Sequence, residues 1–374
     1  MAVFRRALTR ASEDYLLVGL LVVLGPLLAW SPHSIGELVG LVPWQTIVAL
    51  ASLMLLSAGL EASSALARAG GWLFRRVATE RLLALVLVVF SALLAAIVTN
   101  DVALFVTVPL TVRLVTHDGA LLGRLVIFQA FAVTAGSALT PVGNPQNLLL
   151  WQSSQTAFAE FTLAMLPLAA GLLTLVMLLV PLAFSARRLP DQDSPPRASV
   201  DCPLAAVSLL GYPVFLFFVE AGMAPFALGI VVAVYALTRR NVFRGVDWTL
   251  LVVFVLMFLT LGVLADLALI ANAARFMGQL PGGWLTSGTL ISQVISNVPA
   301  AILLDRLTDD WRAIAWGVNV GGFGLAIGSM ANLIALRLAR RPRLWMEFHA
   351  WSVPLLALSW IGAFALAAIA IDSP

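Results

Sequence analysis

The stretch Ile97–Pro109, IVTNDVALFVTVP, sets the polar trio Thr99, Asn100 and Asp101 in the middle of a run otherwise apolar enough to lie inside a bilayer. A carboxylate at that depth costs at least a few kcal/mol, so it belongs to a cavity, a partner or an ion path rather than to a lipid-facing wall. A second break of the same kind comes far downstream in VISNVPAAILL, at Ser296, Asn297, Val298 and Pro299. Two such interruptions, one in each half of the chain, point to a transporter built from repeated halves.

The composition around them sets the class. A chain of 374 residues that is 61% hydrophobic and 11% charged, with a mean hydropathy of +0.99, is an all-α polytopic membrane protein. The sequence pI of about 9.7 does not indicate nucleic acid. Every basic residue is Arg, none is Lys, and they fall between apolar spans, where topology accounts for them. The single cysteine, Cys202, excludes an internal disulfide and a cysteine metal site, and His33, His117 and His349 are too scattered for a histidine cluster. The start MAVFRRALTRASEDYLLVGLL has a basic head and an apolar run. It leads straight into further spans, so it reads as a first membrane helix rather than a cleaved leader.

With about 20 residues needed to span, apolar segments fall near residues 15–31, 43–66, 82–98, 101–115, 125–151 and 161–184. The linker SARRLPDQDSPPRASVD, residues 185–201, follows, and then segments near 203–220, 223–238, 247–265, 281–295, 299–306, 313–339 and 351–371. Arginines orient them, because they concentrate in cytoplasmic loops. Arg5, Arg6 and Arg10 place the N-terminus inside; the loop 32–42 has no Arg, and the next carries Arg68, Arg75, Arg76 and Arg81. Residues 82–98 then leave the cytoplasm, yet the segment after Asp101 ends at Arg113 and Arg124, again cytoplasmic. A re-entrant hairpin that turns near the midplane satisfies both signs, with non-helical backbone tolerated where it lines a cavity.

The second half repeats the pattern upside down. Arg187, Arg188 and Arg197 mark the linker as cytoplasmic, and Arg239, Arg240 and Arg244 bring the chain back inside. A second hairpin then enters from outside, turns at Ser296–Pro299 and re-emerges near Asp305, Arg306, Asp309, Asp310 and Arg312. The expected division is 1–184 for a first inverted repeat (hairpin about 82–115, broken helix about 125–151) and 185–222 for a linker and connecting helix. Residues 223–374 form a second repeat (hairpin about 281–306, broken helix about 313–339), giving about nine spanning helices and two hairpins.

Each hairpin is followed by a helix with a polar, glycine-rich interruption, AGSALTPVGNPQNLLLW at 135–151 and GGFGLAIGSMANLIALR at 321–337. Aligning Gly143 with Gly328 sets Asn147 against Asn332. Pro145 removes a backbone donor and disfavours helix at Asn144, so the first helix must open there. An open helix frees carbonyls for a cation and presents N–H groups to an anion. Gly328 and Ser329 provide a gentler break in the second.

These four motifs, TNDVALFVTVP, GSALTPVGNPQN, ISNVPA and GGFGLAIGSMANL, in this order, resemble the paired signatures of the ion transporter superfamily, with its ArsB/NhaD permeases, divalent-anion/sodium symporters and citrate-transporter-like proteins. The resemblance covers nearly the whole chain and fixes no substrate. It implies a homodimer, and sodium held between each hairpin tip and the following break, with candidate ligands Asn100, Asn147, Asn297 and Asn332. It also implies a small anionic or neutral-acid substrate between the tips. The symporters resemble one another in a Ser-Asn-Thr tip. Here the tips read Thr99, Asn100, Asp101 and Ser296, Asn297, Val298, so both depart at the third position. The Asn-Asp pair looks more like the arsenite-permease branch.

The resulting site is Thr99, Asn100, Asp101, Gly143, Asn144, Asn147, Ser296, Asn297, Gly328, Ser329 and Asn332. The plainer reading is that Asn100 and Asn297 only cap helices and that Asp101 only answers a helix dipole. Gly136, Gly321 and Gly322 read as packing glycines, and Glu220 and Asp266 as solvated residues at outer ends. The function expected is secondary active transport of a small anion across the inner membrane of a bacterium, coupled to protons or sodium, by an elevator motion, with membrane lipid as its surroundings and no cofactor beyond the ion. The alternatives are a sodium/proton antiporter or an arsenite efflux permease of the same superfamily. A passive channel is disfavoured by the repeat. An intramembrane enzyme is disfavoured because no His or Cys pair, Ser-Lys dyad or paired carboxylates lie in the spans.

Overall fold

A backbone in lipid must satisfy its own hydrogen bonds, and this chain does so with helices. A computed structural model describes residues 15–30, 33–74, 77–115, 118–189, 199–339, 341 and 343–371. Arg5, Arg6, Arg10, Arg75, Arg76 and Arg197, read above for topology, and His117 lie outside the described residues. Among the described residues the only strand-like pairing is one isolated bridge, Thr79 with Arg188.

The first half runs α1 (Tyr15–Trp30), α2 (Ile35–Leu41), α3 (Trp44–Ala62) and α4 (Ala65–Phe74), then the hairpin arms α5 (Glu80–Ile97) and α6 (Asn100–Leu114). The broken pair α7 (Gly119–Ser137) and α8 (Pro145–Ser154) follows, and α9 (Phe158–Ala183) closes the half. After α10 (Cys202–Glu220) the same order returns. It comprises α11 (Ala224–Thr238), a 3-10 turn (Arg240–Arg244), α12 (Trp248–Ala265) and α13 (Ala268–Gly278). The arms α14 (Gly283–Ile295) and α15 (Asn297–Leu304), the pair α16 (Trp311–Gly321) and α17 (Met330–Ala339), and α18 (Leu344–Ile371) complete it. Counting each broken pair as one span, the described residues give nine spans and two hairpins. Seven helices are by themselves long and apolar enough to cross a bilayer.

The differences from the sequence reading have local causes. The segment 43–66 is two helices, because Ser64 takes a left-handed φ of 60° and turns the chain into α4. Both α4 and α13 concentrate their apolar residues on one face, which suits a helix lying in the membrane interface. α7 starts at Gly119, well before 125, where Asp118 caps it through the N–H groups of Ala120 and Leu121. α18 starts at Leu344 rather than 351: Glu347 and His349 look like loop residues but are held by Arg124 at 3.6 Å and by the Trp345 carbonyl at 2.7 Å.

Close backbone approaches fix the hairpins. α5 runs alongside α7 in the same direction, Ala92 opposite Gly136 and Ala96 opposite Thr140; a methyl on Gly136 would stand 2.0 Å from the Ala92 carbonyl oxygen. α14 and α16 repeat this, Leu285 opposite Gly317 and Ser292 opposite Gly321. The mouth of the first hairpin lies where Arg81 donates to the Phe184 carbonyl and Arg124 to that of Ala183. The mouth of the second lies where Ser153, at the end of α8, donates to Asp305 at 2.7 Å. The two hairpins therefore open at opposite ends of the bundle. Arg81, Arg113, Arg124, Arg239, Arg337 and Arg341 share the first end.

Helices α1, α3, α10, α11 and α12 pack on one another. Their joints are small residues and buried hydroxyl pairs, Ser57 with Tyr212 at 2.9 Å and Ser208 with Tyr235 at 2.8 Å beside Gly59, the devices that join helices in lipid. The hairpins and broken helices form the other group, with α9 and α18 against them. The groups meet through polar contacts from Thr46 to Gln152 and from Arg306 to the Leu41 carbonyl.

Candidate functional site

The first tip is pinned to the first break. The Asn100 N–H donates to the Gly143 carbonyl at 2.8 Å, and the Asn100 side chain folds back to accept from the Asp101 N–H at 2.9 Å. Thr99 holds the cap position but makes no side-chain cap bond. Asn100 and Asn297 are each the first helical residue, so neither is the expected N-cap. The asparagine that does cap is Asn144, whose Oδ1 accepts from the Asn147 N–H at 2.9 Å. Asp101 lies half-buried in the first turn of α6, where the helix N–H groups favour a negative charge.

The break between α7 and α8 is closed by amides. Asn147 Nδ2 donates to the carbonyls of Ser137, Ala138 and Thr140 at 3.3, 3.1 and 3.2 Å. Asn144 Nδ2 donates to the Ser137 carbonyl at 3.0 Å and to Asn319 Oδ1 at 3.0 Å. Asn319 in turn donates to Asn147 Oδ1 at 2.8 Å and to the Ala315 carbonyl at 2.7 Å. Three carbonyls of the opening, those of Ser137, Ala138 and Thr140, are thus taken by side-chain N–H groups. Gly143 is required because a Cβ there would lie 2.3 Å from the Ser137 carbonyl oxygen.

The second tip is different. Ser296 takes φ 75° and ψ 158°, a backbone region all but reserved for glycine and found strained at functional sites. Its Oγ is buried without a partner. Asn297 is buried beside Gly322: a Cβ on that glycine would stand 3.5 Å from Asn297 Nδ2 and 2.8 Å from the Thr134 methyl. Asn332, fully buried, donates to the Gly322 carbonyl at 2.9 Å, and its Oδ1 has no partner. Ser329 is buried and extended at the end of the 3-10 turn Ala326–Gly328, and a Cβ on Gly328 would meet the Gly321 carbonyl at 2.8 Å. Two side chains that the sequence reading passed over complete this break. Gln293 donates to the Gly321 carbonyl at 2.7 Å and accepts from the Leu325 N–H at 2.7 Å. His349 accepts from the Ala326 N–H at 3.2 Å.

All eleven sequence-derived residues therefore gather at two tip-and-break junctions, linked through Asn319 and Gly322. Asn319 was missed, although aligning Gly136 with Gly321 sets it against polar Thr134. Gly136, Gly321 and Gly322 are packing glycines. Glu220 and Asp266 are exposed but partnered, Glu220 accepting from the Phe158 N–H at 3.0 Å and Asp266 meeting His33 at 3.4 Å. No group of three or more metal-ligating His, Cys, Asp or Glu occurs among the described residues. No Arg is among the junction residues, so helix starts supply the positive potential there.

Paired hairpins, broken helices and buried polar tips are the architecture of a membrane carrier. The family model for citrate transporters matches residues 14–309, a span that includes both hairpin tips. The chain belongs to the citrate transporter family. It is 43% identical over 331 residues to the inner membrane protein YbiR of Escherichia coli, covering 88% of each chain. It is 32% identical over 260 residues to an uncharacterized transporter of Methanocaldococcus jannaschii, covering 68% of this chain and 70% of that one. An uncharacterized transporter of Mycobacterium tuberculosis matches at 24% over 371 residues, 88% of this chain and 85% of the other. This member of the family is a multi-pass membrane transporter, and the names around it are those of carriers rather than enzymes.

Proposed function

We propose that the protein is a secondary active transporter of the inner membrane that moves a small anion or neutral acid, coupled to sodium or protons. The observation that carries this reading is the second junction, where buried Ser296 Oγ and Asn332 Oδ1 stand without partners beside the start of α15. Unsatisfied buried polar atoms of this kind are costly, and a transported ligand that pairs with them recovers that cost. The first junction supplies the opposing wall, with Asn100 and Asp101 at the start of α6.

The substrate carries little charge. At the junctions there is no Arg to neutralise a polycarboxylate, and the third tip positions are Asp101 and Val298, neither of which offers a neutral hydroxyl to a carboxylate. Asp101 favours a second reading, export of a neutral acid such as arsenite or exchange of sodium for protons, because a half-buried carboxylate at the tip can exchange one cation for another.

Motion follows from the two groups of helices. Hairpins and broken helices, with α9 and α18, form the carrier; α1, α3 and α10–α12 form the scaffold, and the amphipathic α4 and α13 join them. The units are 1–184 and 223–374 about the connecting segment 185–222, with the N-terminus and the arginine-rich end cytoplasmic, and two copies pair through their scaffolds. A cavity of about 330 Å³ at the opposite end, lined by Trp44, Thr46, Gln152, Ser153, Asp305 and Arg306, lies on the seam between the groups and gives the substrate its outer approach. Currents from the reconstituted protein on a solid-supported membrane, screened over arsenite and small mono- and dicarboxylates with and without sodium and proton gradients, test the reading. Silence under every gradient refutes it.

A further inference from the structure

The 3-10 turn Ala326–Gly328 carries the chain through the second break, and the N–H groups at its start lie ahead of any helical acceptor. Side chains from two other helices take them. Gln293 of α14 accepts from the Leu325 N–H at 2.7 Å, and His349 of α18 accepts from the Ala326 N–H at 3.2 Å. The amides of Asn144, Asn147 and Asn319 that close the first break do not titrate. An imidazole ordinarily changes charge between about pH 5 and 8.

The partners of His349 fix its protons. Nδ1 lies 2.7 Å from the Trp345 carbonyl, which can only accept, so Nδ1 carries a hydrogen. Nε2 faces an N–H, which can only donate, so Nε2 is bare and the ring is neutral. A proton on Nε2 would set two N–H groups against each other and leave the N–H of fully buried Ala326 without that acceptor. The charged ring keeps the Trp345 carbonyl and stands 5.0 Å from the Trp345 ring, which favours a cation. Protonation therefore costs the turn its anchor and leaves α18 in place. Of the elements packed on α18, α14 and the 3-10 turn carry no charged residue. α9 and α16 carry only Glu160 and Arg312, in first turns at the opposite end of the bundle. α7 carries Arg124, which is engaged by the Ala183 carbonyl and by Glu347 of α18, with Arg341 beside Gly119 and Gly123. Among the described residues no carboxylate pairs with His349.

We infer that His349 is a proton switch on the second break. Neutral, it anchors the turn that leads into Ser329 and Asn332; protonated, it releases that turn, and those two residues lose their placement. His349 lies in the second turn of α18, which starts at the arginine-rich end, so the switch answers to pH on that side. The switch rests on the hydrogen bonds, and its effect on transport rests on the carrier reading above. The anchored state binds one proton fewer than the released state, so it is favoured as pH rises and lost as pH falls, by at most about tenfold per pH unit.

Hydrogen–deuterium exchange of the protein in nanodiscs, followed from about pH 5 to 8 and corrected for the pH dependence of exchange itself, tests this. Protection of segment 323–328 should fall toward acid with the slope of one proton, while the opening 137–143 of the first break stays level. His349→Gln offers an uncharged carbonyl oxygen in place of Nε2 and should keep the segment protected at every pH. His349→Ala should leave it unprotected at every pH. The chain has three histidines, so 15N-histidine spectra of the wild type serve if the variants do not fold: one neutral ring with hydrogen on Nδ1 should titrate in step with the protection. Level protection in the wild type, an unchanged pH dependence in His349→Gln, an equal loss at both breaks, or no Nδ1–H ring overturns the inference. Currents at equal pH on both faces should fall toward acid more steeply in the wild type than in His349→Gln. A switch seen in exchange with no current under any gradient sinks the transport reading alone, whereas currents without the switch in exchange sink the switch alone.

Discussion

Replacing Ser296 by glycine should make the protein more stable and inactive at once. Ser296 is held at φ 75°, ψ 158°, a conformation that costs a residue with a Cβ about 1–3 kcal/mol. Glycine removes that strain and gives back about 0.5–1 kcal/mol through the extra freedom of the unfolded chain. The hydroxyl has no hydrogen-bond partner, so its loss forfeits no bond and spares a desolvated oxygen. The balance is a gain of roughly 1–2 kcal/mol. In a chain of this length that is a rise of about 1–3 °C in the melting midpoint. Transport should fall to background, because one of the two open oxygens at the second junction is gone. Nanodisc melting read by intrinsic fluorescence and solid-supported-membrane currents measure the two sides. A lowered midpoint would mean that Ser296 is held by contacts that outweigh its strain, and wild-type currents would mean that its hydroxyl touches nothing transported; either result defeats the reasoning.

Gly136→Ala should destabilise by about 1–3 kcal/mol, since its methyl would stand 2.0 Å from the Ala92 carbonyl oxygen and force α5 from α7; Gly229→Ala, with no atom within 4 Å of its Cβ, should melt like wild type. In a background lacking Cys202, a cysteine at exposed Arg113 should react with an impermeant thiol reagent only from the cytoplasmic side and one at exposed Asp309 only from the other, and equal sidedness would refute the opposed hairpins. Asn100→Ala and Asn297→Ala should each abolish currents while the protein still inserts and melts cooperatively; normal currents in either return that asparagine to a structural role. Asp101→Asn keeps the shape of the first tip and removes its titration, so currents should lose their dependence on the proton or sodium gradient, and unchanged dependence would leave Asp101 as a helix-start charge alone.

What the sequence disclosed and what it hid divide along a physical line. Hairpin tips were legible because Asn-Asp or Ser-Asn inside an apolar run has no lipid-facing explanation, and the first break because Pro145 forbids a continuous helix at Asn144. The amphipathic α4 and α13 were not, since ten or eleven residues with a polar face fail any test that looks for a span of about 20 apolar residues. Asn319 and Gln293 were hidden for a deeper reason. An amide that completes a neighbour's hydrogen bonds looks, in one dimension, like any other polar residue near a glycine. Its meaning depends on which oxygen lies across the gap. Inverted repeats invite the assumption that two aligned motifs have two equal roles, and here Thr134 opposite Asn319 is enough to break that equality. Asn319 pairs with Asn144 and Asn147 across the first break, whereas its counterpart Thr134 bonds within its own helix and Asn332 Oδ1 stands without a partner. Chemical asymmetry between the halves thus comes from a residue on the packed face of each broken helix rather than from the signature motifs, and exchanging Thr134 and Asn319 should move it from one half to the other.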